Sequence, residues 1–171
     1  MPHQEGKPRS AAQATGLETR TVLLSRLDRT VAQLIGIYQG LANPATSGDD
    51  AWTAKDILCH ITFWHESFAR NVSALVSGNA PTPLRGTYAD LNRRSVAEMQ
   101  GLTSEQIVER LRAAHQLIQL AILSPHLKTI PYRKGSRDYT PEEHLAIVCG
   151  HIAEHLRAIE KIRNGAQQAS G

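Results

Sequence analysis

Residues 139–162 read YTPEEHLAIVCGHIAEHLRAIEKI, and this stretch decides the fold. Thr140, Pro141 and Glu143 announce a helix: a capping hydroxyl, a proline at the first helical position, and a glutamate three residues after the cap. Leu145, Val148, Ile152, Leu156, Ile159 and Ile162 then recur at helical spacing. His151 and His155 stand four apart, so their imidazoles lie one above the other on one face. His144 lies near the same face, two turns upstream.

Working outward, the same signals recur. Thr15 with Glu18 resembles a capping box, and Leu17, Leu24, Leu27, Val31, Leu34, Ile35 and Tyr38 trace a stripe to about Leu41. Gly36 weakens this helix but permits close contact with a neighbour. After the linker NPATSGDD (43–50), Thr53 and Asp56 start a second helix whose apolar face is Ile57, Ile61, Trp64, Phe68, Val72 and Leu75. His60 shares that face and points inward, whereas His65 lies about 140° around the axis and is expected toward solvent or the next layer. Residues 87–123 read as one kinked arm broken near Gly101, with Thr87–Asp90 and Thr103–Gln106 as starts. No β-alternating run of useful length and no internal repeat occur. The expected fold is therefore all-α, a bundle of four long arms without a sheet.

Composition is that of a soluble globular chain: 171 residues, 41% hydrophobic, 20% charged. That length suits one domain, read as residues 16–165, between flexible tails at 1–15 and 166–171. A net charge of +3 without a sustained Lys/Arg stripe argues against nucleic acid. No apolar run is long enough for a membrane span, and no secretion signal opens the chain. Two cysteines exclude a disulfide scaffold and favour a cytoplasmic location. Cys59 and Cys149 neighbour the histidines but turn to other faces, so they read as core packing.

His60, His151 and His155 are the candidate metal ligands. If the second and last helices adjoin, three neutral imidazoles converge on one divalent ion and leave a position open for water or substrate. Zinc and nickel suit such donors best, and iron or manganese also accept them. HExxH protease spacing is absent, and Glu154 and Glu66 read as solvated surface charges. No catalytic residue is assigned. Trp64, Tyr132, Arg133 and Arg137 are candidates for substrate access; the last three lie in the loop SPHLKTIPYRKGSRDY (124–139), whose basic residues suit an anionic small molecule.

The segments WTAKDILCHITFWHESF (52–68), LNRRS (91–95) and HIAEHLRAI (151–159) resemble the DinB/YfiT-like superfamily. The resemblance implies an up-up-down-down four-helix bundle with a divalent metal at one end of its core, held at His60, His151 and His155. It also implies a metal-dependent thiol transferase or hydrolase acting on a small electrophile, with a low-molecular-weight thiol as co-substrate in the first case. The alternative is a non-catalytic metal- or ligand-binding protein of stress or sequestration. The Asp-x-Leu-x-His and Trp-His pattern in 56–65 is similar to the ClbS/DfsB-like branch, while HIAEH resembles the metal-binding members. A homodimer is expected at the superfamily's usual rate.

Overall fold

The computed structural model describes residues 11–46 and 52–169, with side chains from residue 16 onward. The expected tail at 1–15 lies outside the described residues for 1–10, as does the linker at 47–50 and the chain end at 170–171.

Five α-helices carry the described chain: α1 (Ala11–Gln39), α2 (Ala54–Val76), α3 (Tyr88–Met99), α4 (Ser104–Ala121) and α5 (Pro141–Gln168). Capping boxes form as read at Thr53–Asp56, Thr103–Gln106 and Thr140–Glu143. Each pair satisfies two backbone N–H groups that an α-helix leaves without partners. α1 begins a turn ahead of Thr15, and α5 continues past Gly165. The arm expected over 87–123 is two helices rather than one kinked helix, because Thr103 caps a fresh start after the turn at Gly101.

α1 lies along α5 and α2 lies along α4; α2 also touches α3 and α5. The core between them includes Leu27, Leu34, Leu58, Ile61, Phe68, Leu111, Ile118 and Ile159. Gly36 has no neighbour within 4 Å of where a Cβ would sit, so the close contact expected there is not made. α2 is the central helix: every residue from Ile57 to His65 is buried. Cys59 and Cys149 are buried free thiols, as expected.

The chain is not free of sheet. Within the long loop, β1 (Ile130–Pro131) and β2 (Asp138–Tyr139) pair antiparallel, Ile130 opposite Tyr139. Gly135 turns between them at φ 90°, a conformation that glycine adopts without a Cβ clash. Leu127 and Ile130 plug into the core, and the Lys134 N–H donates to the Leu84 carbonyl at 2.7 Å. These anchors hold Tyr132 against Trp64, midway along α2. No helix among the described residues is long and apolar enough to cross a membrane.

Candidate metal centre

The capping box at Thr53 sets the start of α2, and His60 follows two turns later on the side facing α5. α5 supplies His151 and His155 one turn apart. Their ring nitrogens meet: His60 Nε2 lies 2.9 Å and His155 Nε2 3.0 Å from His151 Nε2. All three lie within 4.8 Å of one another, in a group that could hold a metal ion. The three residues expected from spacing are thus brought together.

A neutral imidazole nitrogen carries one proton or one lone pair. His151 Nε2 faces two other ring nitrogens, so hydrogen bonding alone cannot serve all three well. A cation accepting three lone pairs serves them at once, and the donor set fits a divalent ion. The electrostatics agree. Burial, then repulsion from His151 and His155, pushes His60 down to about 3. Burial also lowers His151, with Glu154 opposing. Both rings are therefore neutral at physiological pH, the form that ligates.

The triad forms the floor of a cleft of about 480 Å³, walled by Trp52, Trp64, Tyr88, Asn92, Tyr132 and Glu154. Trp64 stacks on Tyr132, and Trp52 meets His60 edge to face. Of the access candidates, Trp64 and Tyr132 line this cleft. Arg133 and Arg137 are held elsewhere. The Arg133 guanidinium lies over Tyr88 and donates to the Gly86 carbonyl; Arg137 pairs with Glu143 and covers Tyr139. Glu154 is exposed, as its spacing suggests, and is also the charged side chain at the cleft wall. Glu66 is not a free surface charge, since Arg110 grips both its oxygens at 2.7 and 2.8 Å.

The structure decides between the two placements open to His65. It is 2% exposed and so takes the second of its two expected placements, against the next layer and not in solvent, because α2 is buried without a break from Ile57 to His65. Its Nε2 lies 3.1 Å from His115 Nδ1, and His115 Nε2 lies 2.8 Å from Asp28 Oδ1. His144 is also buried, stacked face to face on Phe68 at 4.0 Å. Burial brings His144 down to about 4, and burial with His115 and His144 brings His65 to about 3. One sequence signal could have found His65: residues 57–65, ILCHITFWH, carry no acidic or basic residue besides histidine, which marks a helix without a solvent face.

The model of the DinB superfamily matches residues 18–159, most of the chain, and the chain belongs to that superfamily. No curated protein and no solved structure matches it.

Proposed function

We propose that this member of the DinB superfamily is a metal-dependent enzyme that transfers a thiol to, or hydrolyses, a small electrophile. The observation that carries the reading is the convergence of His60, His151 and His155 at the floor of an open cleft. A sequestration protein needs a sealed, fully coordinated ion; three neutral donors beneath a cleft favour exchange with an incoming ligand.

Zinc or nickel is the proposed ion, for its affinity for imidazole nitrogen. When bound, such an ion supplies a Lewis acid that holds a thiolate or hydroxide at neutral pH. The chain's own residues do the rest. Three imidazoles add no negative charge, so the cation keeps its full pull on the incoming sulfur or oxygen. Trp52, Trp64, Tyr88 and Tyr132 offer flat apolar walls that exclude water and orient an apolar substrate. The Trp64 indole N–H is buried without a protein partner and is available to a ligand acceptor. With Glu154 as the charged wall residue, the cleft suits a neutral or cationic substrate better than the anion that the loop's composition suggested. The Asp56-to-His65 pattern similar to the ClbS/DfsB-like branch supports the hydrolase form of the reading.

The pairings of α1 with α5 and α2 with α4 support an up-up-down-down bundle. Exposed Val22 on α1, with Leu117 and Leu120 on α4, supports a homodimer, and the composition supports a cytoplasmic setting. The test is elemental analysis of untagged protein, then thiol-transfer and hydrolysis assays on small electrophiles before and after chelation. Stoichiometric zinc or nickel with chelator-sensitive turnover is expected. Protein that takes up no divalent ion overturns the reading.

A further inference from the structure

A second polar chain runs through the core behind the metal triad. Its outer end is Asp28, whose side chain is 39% exposed on α1. Gln119 Nε2 also donates to Asp28 Oδ1 at 2.9 Å, which steadies the carboxylate. An ionised carboxylate only accepts, so His115 Nε2 must carry the proton of the 2.8 Å bond. His115 is then left with a bare Nδ1, which must accept from His65 Nε2 across 3.1 Å. By the same logic His65 carries its proton on Nε2 and a lone pair on Nδ1. That Nδ1 is buried and without a protein partner. The carboxylate on the surface thus dictates the tautomer of a ring in the core.

His65 borders a small inner cavity of about 20 Å³, whose walls also include Trp64, Tyr132, His144 and the triad residue His151. His144 Nδ1 is likewise buried without a partner. The cavity has room for one water, and the unpartnered His65 Nδ1, His144 Nδ1 and Trp64 Nε1 belong to its lining residues, beside Ile61, Ile147, Val148 and Ile152. Trp64, Tyr132 and His151 wall both this cavity and the cleft, so the two spaces are neighbours.

We propose that His65 is the proton acceptor for chemistry at the triad, and that His115 and Asp28 relay its proton to solvent. The relay rests on the metal reading for its proton source. A thiol or water at the cleft floor loses its proton, through the cavity water, to His65 Nδ1. The S–H or O–H bond breaks and an N–H bond forms. His65 passes its Nε2 proton to His115 Nδ1, and His115 passes its Nε2 proton to Asp28 Oδ1, which yields it to solvent. No ring need hold a lasting positive charge, which suits rings whose burial disfavours the cation. The reverse hand-off protonates the product and restores both starting tautomers.

The experiment has two arms, both on the full chain. Imidazole ¹⁵N–¹H NMR of metal-free protein at neutral pH should show Nε2–H tautomers at both His65 and His115, with slow solvent exchange of the His65 proton. An Nδ1–H on His65 overturns the relay whether or not the protein binds metal. In the second arm, zinc-loaded protein is mixed with mercaptoethanol and proton release is followed by stopped flow with a pH indicator. His115→Gln keeps a donor and an acceptor but cannot hand a proton on. It should slow release about a hundredfold, with zinc content and thermal midpoint close to wild type. Added imidazole buffer should restore the rate. Unchanged release in His115→Gln overturns the relay; absence of zinc from wild type overturns the proposed function and leaves the relay to the tautomer arm.

Discussion

The rings of Trp64 and Tyr132 stack nearly parallel, with centroids 5.2 Å apart and planes 12° from each other. A residue of α2 and a residue of the β1–β2 loop thereby make one wall shared by the cleft and the inner cavity. Tyr132 is buried enough that its phenol is pushed up to about 12, so it stays un-ionised. Tyr132→Ala should cost about 1–3 kcal/mol, an aromatic pair plus lost burial, and shift Trp64 emission to longer wavelength. Tyr132→Phe should change neither by much. Urea titration with tryptophan fluorescence checks both; equal stability of the alanine variant would show that the loop does not pack on α2.

His60, His151 and His155 should behave as one unit toward metal. Alanine at any of the three is expected to weaken divalent-ion binding more than the roughly 10–100-fold typical of a residue supporting a ligand. His126→Ala, at an exposed position, should not alter it. Equilibrium metal content after identical loading and dialysis measures this. Wild-type retention in His60→Ala would remove α2 from the site.

Stability of the metal-free protein should fall in mild acid. His65 and His144 titrate near 3 and 4 in the folded chain, below the ordinary value near 6.5. The unfolded chain therefore takes up these protons first. Their contribution is whole above about pH 6.5 and is lost progressively as pH falls toward the folded values, at about 1.4 kcal/mol per pH unit for each ring. Unfolding free energies from urea titrations at pH 7.5 and 5 should differ by about 2 kcal/mol less in His144→Phe than in wild type. An equal acid loss in the two would mean that His144 is already protonated in the fold.

Thr53→Ala should destabilise the bundle by about 1 kcal/mol through loss of the α2 cap. Metal affinity should stay near wild type, because the ring of His60 is held by packing two turns further on. Thermal melts and metal content, measured on the same sample, separate the two effects. A joint loss would show that the start of α2 sets the ligand's position.

Much of this architecture was legible in the chain because the signals are local. Capping residues act on backbone groups within one turn, and apolar periodicity is a property of a single helix; hence four helix starts, the buried stripes and the HxxxH pair could be read from residue order alone. His60 could be joined to His151 and His155 only on the condition that two helices adjoin, and the fold meets that condition. What residue order did not disclose depends on what covers each element. The turn of His65 away from the apolar face left solvent and the next layer both open, and only the packing of α4 on α2 settles it: the ring is buried and finds His115 instead of water. Glu154 joins the cleft wall, Arg133 and Arg137 are drawn onto Tyr88 and Glu143, and the long loop becomes a short strand pair. The Arg137–Glu143 pair and the strand pair are local in sequence, but the burial of His65 against His115 and the seat of Arg133 on Tyr88 turn on residues remote in sequence, and desolvation acts only once tertiary packing has brought such residues together.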